Sequence, residues 1–198
     1  LLFFTNLGKA YSIKMYDIPV GKRATKGKSI MNFLSLSSEE KVTSILPMPK
    51  GNDKSSSLML VTLNGTAKKM TSASFSDVRR SGIIAIKLDK GDSLVAALIT
   101  KKGDDVLVAT RDGQSIRFKE GDIREMGRTA GGVRGIKLSK NDLVISVDVI
   151  KKELGDKGYF LTMSANGLGK KTSLKEYKIQ KRGGSGIKTA KVTSKTGP

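Results

Sequence analysis

A unit of roughly fifty residues recurs four times along the chain, and no other feature restricts its fold as strongly. Four apolar runs each close on a glycine turn: LLFFTNLG at Gly8, LMLVTLNG at Gly65, VLVATRDG at Gly113 and YFLTMSANG at Gly167, with spacings of 57, 48 and 54 residues. Asn64-Gly65, Asp112-Gly113 and Asn166-Gly167 tolerate the positive φ that a two-residue hairpin turn demands. The segment after each turn is basic and strand-like: KAYSIKMY (9–16), TAKKMTSA (66–73), QSIRFKEG (114–121) and LGKKTSLKEY (168–177). Each unit is therefore expected to open as a β-hairpin.

A third element follows in every unit, led in by a basic residue and a glycine: RATKGKSIMNF (23–33), RRSGIIAIKL (79–88), RTAGGVRGIKL (128–138) and KRGGSGIKTAKV (181–192), with Gly27, Gly82, Gly132 and Gly186 in register. A fourth, apolar strand completes the first three units: KVTSILPM (41–48), SLVAALIT (93–100) and DLVISVDVI (142–150). Four short strands per unit describe a propeller-like blade, which buries its faces only by stacking on its neighbours. The expected architecture is an all-β array forming one domain over 1–198, with blades near 1–50, 51–100, 101–150 and 151–198, the last incomplete. A β-sandwich with incidental glycine turns is the plainer alternative, and the recurrence of four anchors speaks against it.

Lys and Arg number 37 against 18 Asp and Glu, giving a net charge of +19, which attracts polyanions. Nucleic acid is the expected partner, ahead of an anionic membrane surface. No apolar stretch is long enough to span a bilayer, and Leu1-Leu2-Phe3-Phe4 is too short for a signal-peptide core; a cytosolic chain is expected. Cysteine and histidine are both absent, which removes disulfides, thiolate or imidazole metal ligation, and imidazole-based triads. No acid–base or nucleophile constellation emerges, so no catalytic residue, metal or cofactor is assigned and a stand-alone enzyme is disfavoured. Gly167-Leu168-Gly169-Lys170-Lys171-Thr172 imitates a phosphate loop, but Lys171 stands where Ser or Thr should follow the lysine and Ser164 where the first glycine should be, so a nucleotide site is rejected. Asp104, Asp105, Asp122 and Asp142 read as turn residues rather than metal ligands.

The cations recur at matching places: Lys14, Lys69, Arg117 and Lys171 on the second strands, and Arg23, Arg80, Arg128 and Arg182 at the loops leading into the third. Alternation of Ile116 and Phe118 with Arg117 and Lys119 is expected to point the cations outward. A recurrent cation builds a band that neutralises a curved phosphate backbone without reading bases. The expected DNA-contacting set is Lys9, Lys14, Arg23, Lys26, Lys28, Lys68, Lys69, Arg79, Arg80, Arg117, Lys119, Arg124, Arg128, Arg134, Lys170, Lys171, Lys181, Arg182 and Lys188. Gln180-Lys181-Arg182-Gly183-Gly184-Ser185-Gly186 adds a glycine-rich loop whose N–H groups can approach a phosphate closely. Few aromatics and no Trp argue against single-strand binding by base stacking; Phe3, Phe4, Phe33, Phe118 and Phe160 are assigned to the core. A protein-binding propeller would share the blades but would not need the recurring charge.

FFTNLGKAYSIKMYDIP, RATKGKSIMNFLSLSSEEKVTSILPM, TLNGTAKKM, RDGQSIRFKEGDIREMGRTAGGVRGIKL and NGLGKKTSLKEY together resemble, in order and over nearly the whole chain, the C-terminal domain of bacterial DNA gyrase A subunits. The resemblance implies a six-bladed β-pinwheel whose blades exchange strands, with about four of the six blades in view, and it implies duplex DNA wrapped on a basic rim. It also implies two partners in ATP-dependent supercoiling, the gyrase B subunit plus a second gyrase A chain, with the cleavage tyrosine and the ATPase outside these residues. Residues 180–186 are similar to the family's gyrase box except for Ser185, and they fall in the last unit rather than the first, as a degenerate copy. Topoisomerase IV is a near relative with similar blades, and the near-complete box favours gyrase over it.

Overall fold

The computed structural model describes residues 1–48 and 55–198. In chain order the strands are β1 (Leu2–Thr5), β2 (Lys9–Ser12), β3 (Val42–Leu46), β4 (Ser56–Thr62), β5 (Thr66–Thr71), β6 (Ile83–Ile84) and β7 (Leu94–Lys101), then β8 (Asp105–Thr110), β9 (Gln114–Lys119), β10 (Val133–Arg134), β11 (Val144–Ile150), β12 (Tyr159–Met163), β13 (Gly169–Ser173) and β14 (Ile187–Lys188). Short 3-10 turns follow the second strands, and no α-helix occurs among the described residues. The fold is an all-β pinwheel, as expected.

Three sheets have four strands, in the orders β3-β1-β2-β6, β10-β5-β4-β7 and β11-β8-β9-β14, and β12-β13 forms a two-stranded sheet. In each complete sheet the first hairpin strand pairs with the fourth strand of its own unit, as in β1 with β3 and β4 with β7. The second hairpin strand pairs instead with the third strand of the following unit, as in β2 with β6, β5 with β10 and β9 with β14. A sequence unit and a blade are thus offset by one strand. The first two expected blades were divided at residue 50, which lies outside the described residues.

Residues 23–33 correct the pattern: they hold a 3-10 turn at Ile30–Asn32 and no strand. The other three third elements each add to the hairpin of the unit before, and the described residues hold no such unit ahead of this one. A two-residue strand persists only against an edge that satisfies its backbone.

The joint between units is the same three times. The carbonyl of the hairpin-turn glycine accepts two N–H groups from the next unit's third element: Gly8 from Ala85 and Ile86, Gly65 from Gly135 and Ile136, Gly113 from Thr189 and Ala190. The approach is close enough to dictate glycine at both sides. A Cβ on Gly65 would lie 2.9 Å from Ile136 Cγ2, and one on Gly132, at φ +101, would lie 2.8 Å from the Ala67 carbonyl oxygen.

Apolar burial is organised between sheets. Leu58 and Leu60 of β4 pack with Leu2, Phe4, Phe75 and Ile86 on one side, while Met59 and Val61 pack with Val106, Val108, Ile116 and Phe118 on the other. Strands such as β4 and β8 are therefore dry on both faces, and each fully buried aliphatic or aromatic side chain contributes about 1.5–3 kcal/mol. The fourth strands β3, β7 and β11 run against one another across the stack, with Ala97 N–H donating to Ser44 Oγ at 2.9 Å. That leaves β6, β10 and β14 as the opposite, outer edges of their sheets.

Candidate nucleic-acid interface

Most of the expected cations reach solvent. Lys14, Arg23, Lys26, Lys28, Arg79, Arg80, Lys119, Arg124, Arg128, Arg134, Lys170, Lys171, Lys181 and Lys188 are exposed, and Lys9 and Arg182 are partly so. Arg134 and Lys188 occupy the same position of the outer-edge strands β10 and β14, where a long cationic side chain projects from an edge with no further strand beside it. Lys14 needs a different correction: β2 ends at Ser12, so the residue four positions after the turn glycine, matching Lys69, Arg117 and Lys171, is Ser12.

Three residues placed in the contact set are buried instead. Lys68 is fully enclosed, and its ammonium donates to the carbonyls of Ala85 at 2.8 Å and Arg128 at 2.6 Å. Lys69 pairs with Glu120 at 2.6 Å. Arg117 pairs with Asp105 at 2.7 Å and Asp156 at 2.6 Å, and also donates to the carbonyls of Leu174 and Tyr177. Ile116 and Phe118 do face the apolar core. Strict alternation puts Arg117 on the other face of β9, but in a stack of sheets that face meets the next unit, not water. Burial opposes the Arg117 charge, and the hydrogen bonds to Asp156 and Asp105 outweigh it, holding the guanidinium above its ordinary pKa.

Lys68 has no carboxylate partner, and burial pulls its pKa down from 10.5 to about 8. The unfolded chain then holds that proton more tightly than the folded one between those two values. Folding stability is thus expected to rise from pH 8 to 10.5, by something on the order of 3 kcal/mol from this one group. Urea midpoints at several pH values check this against Lys68→Met, whose profile should be flatter across that window; parallel profiles would mean that burial does not penalise the ammonium.

A recurrent cation was missed. Lys87, Lys137 and Lys191 each lie five residues after the aligned glycines Gly82, Gly132 and Gly186, and all are exposed. The signal was legible in IAIKL and RGIKL, where buried Ile86 and Ile136 precede an outward lysine. Neighbouring segments of this series touch: Lys137 N–H donates to the Gly184 carbonyl at 2.8 Å, and a Cβ on Gly131 would stand 3.6 Å from the Lys87 carbonyl oxygen. Arg79, Arg80, Lys87, Arg128, Arg134, Lys137, Lys181, Lys188 and Lys191 therefore follow one another along the outer edges of adjoining sheets.

The glycine-rich loop is a joint within this band. Gln180 N–H donates to the Arg117 carbonyl at 2.8 Å and Gly183 N–H to the Gly135 carbonyl at 2.6 Å. The Arg182 guanidinium donates to the carbonyls of Asp122 and Arg134. Lys181 and Ser185 remain exposed, Gly184 lies near Ile116, and Gly186 adopts φ +73 against Ser115. Elsewhere, Lys171 lies 4.2 Å over the Tyr159 ring, and Lys170 donates to the Thr189 carbonyl. Asp142 and Asp104 do serve turns, accepting from Asp112 and Leu143 N–H and from Lys101 and Lys152 N–H respectively, and Asp122 lies in the 3-10 turn Glu120–Asp122. Asp105 corrects the expectation, since it opens β8 and is the buried partner of Arg117.

Comparison with known proteins agrees with this architecture. The family model described as "DNA gyrase C-terminal domain, beta-propeller" matches residues 1–47, 56–101, 104–151 and 158–195. The DNA gyrase A protein of Helicobacter pylori is 42% identical over 198 residues, and that of Klebsiella oxytoca 39% over 197. The match covers all of this chain but only 24% and 22% of those proteins, so the chain spans under a quarter of the relatives' length. A solved DNA gyrase A C-terminal domain superposes with a TM-score of 0.81 at 28% identity, over 99% of this chain and 62% of that one. The solved C-terminal domain of DNA topoisomerase IV superposes at 0.87 over 98% of this chain and 59% of that one; at 23% identity it speaks to the fold alone.

Proposed function

Because the chain belongs to the DNA gyrase A C-terminal domain family, we propose that it binds duplex DNA along the outer edges of its blades and bends it, without sequence preference. The observation that carries this reading is the recurrence of exposed cations at equivalent places on adjoining sheets, Arg134 with Lys188 and Lys87 with Lys137 and Lys191. Such a track matches phosphates that follow one another along a curved backbone. In the whole protein the segment would assist ATP-dependent supercoiling beside gyrase B and a second gyrase A chain, in the cytoplasm near the nucleoid. Chemistry and ATP use are assigned to other regions, and no cofactor is assigned to this one. No helix among the described residues is long and apolar enough to cross a membrane. Relatives named as gyrase A proteins, at 39–42% identity, favour gyrase over topoisomerase IV.

The test is charge reversal at matched net charge. Arg134→Glu with Lys137→Glu and Lys188→Glu is expected to weaken duplex binding by on the order of a hundredfold at 100 mM salt. Lys41→Glu with Lys102→Glu and Lys157→Glu, all exposed but away from the outer-edge strands, should cost far less. A gel shift compares the two triples, and equal losses would show that only net charge matters. Fluorophores on the ends of a 30-base-pair duplex report bending, and ends that never approach on saturation would make the protein a clamp for straight DNA.

A further inference from the structure

Two buried cations occupy one repeat position and make one kind of joint to the next unit; the Arg117–Asp105 pair itself lies within one sheet. Lys69 and Arg117 each lie four residues after a hairpin-turn glycine, Gly65 and Gly113. Each residue is held to the following unit at two points. Its carbonyl accepts an N–H from that unit, Met126 to Lys69 at 2.9 Å and Gln180 to Arg117 at 2.8 Å. Its side chain grips that unit's 3-10 turn: Lys69 reaches the Glu120 carboxylate on the turn Glu120–Asp122, and Arg117 reaches the carbonyls of Leu174 and Tyr177 beside the turn Leu174–Glu176. The corresponding position in the first unit is Ser12.

One point of attachment leaves a hinge, and two fix a rotation. Apolar contact between the sheets is non-directional, so it holds blades together without dictating their angle. A charged group with a defined partner at 2.6 Å does dictate it, since a slipped arrangement would strand an unpaired charge in a dry interface. The angle between blades in turn sets the curvature of the cationic edge, because Arg134 and Lys188 ride on successive sheets.

We propose that Lys69 and Arg117 are positioning residues that fix the angle between successive blades, and so set how sharply duplex DNA is bent while never touching it; this rests on the DNA-binding reading above. The test is a variant that leaves the net charge at +19: Lys69→Met with Glu120→Leu removes one charge of each sign. Its affinity for a 30-base-pair duplex is expected to stay within about threefold of wild type, because no phosphate contact is lost. At saturation, the approach of fluorophores on the two duplex ends should fall by about half or more, since bending is held only by an aligned track. Glu120→Asp, which keeps the charge, should recover part of the bend. Should the double variant unfold, Glu120→Gln carries the same pair of readouts. Full bending in a cooperatively folded variant overturns the proposal, as does a tenfold or greater affinity loss with bending intact, which would mark Lys69 as a direct contact. If wild-type protein itself neither binds nor bends DNA, the DNA reading has failed; if it does both and the variants match it, only the positioning role has.

Discussion

Raising salt from 50 to 200 mM is expected to weaken duplex binding by about a thousandfold or more, if six to ten phosphates are neutralised. The cations available for this are the outer-edge series from Arg79 to Lys191, and Lys87, Lys137 and Lys191 have no carboxylate partner among the described residues. Lys68, Lys69 and Arg117 do not contribute, because their charges are already spent on Ala85, Arg128, Glu120, Asp105 and Asp156. Counterion release makes the logarithm of affinity linear in the logarithm of salt, with a slope of about −0.9 per phosphate. A gel-shift series over four salt concentrations measures that slope directly. A flat line would leave the protein's charge without the role assigned to it and would favour a protein-binding scaffold.

Arg117→Ala is expected to cost about 3–5 kcal/mol of folding stability, because it strands Asp105 in a dry interface and removes a donor from the Leu174 and Tyr177 carbonyls, of which Leu174 keeps only the Tyr177 N–H. Arg117→Glu should be worse, since it places a third carboxylate beside Asp105 and Asp156. Lys119→Glu, two residues along the same strand but exposed, should stay within about 0.5 kcal/mol of wild type. Urea unfolding separates the two sites cleanly, and an unchanged midpoint for Arg117→Ala would mean that the interface relaxes to admit water.

The contrast between Arg117 and Lys119 shows where the sequence was legible. Hairpins could be read because an Asn-Gly or Asp-Gly turn is a local event, decided by the φ those residues tolerate. Third-strand partners could not, because β10 pairs with β5 and not with the hairpin of its own unit, and nothing local to residues 128–138 distinguishes the two edges. Period-two alternation reports that a strand has two faces; it does not say that both are buried. Alternation turns Arg117 away from Ile116 and Phe118 but not into water, and on β5 the adjacent Lys68 and Lys69 point to opposite faces that are both buried. Lys87 and Lys137 were overlooked for the opposite reason: they follow the third strand in a stretch with no alternation to mark it, although their spacing from Gly82 and Gly132 is constant.

Strand exchange has a consequence for how a gene of this kind can change length. An in-frame loss of one sequence unit does not delete one blade: it takes a hairpin and a fourth strand from one sheet and an edge strand from the sheet before it. The two wounds heal each other, because the next third element reaches a turn glycine of the same geometry, as Gly8, Gly65 and Gly113 demonstrate three times over. Duplication or deletion of a whole unit is therefore expected to preserve the joint wherever the crossover keeps the register between turn glycine and aligned glycine. Each such step would add or remove one increment of cationic edge.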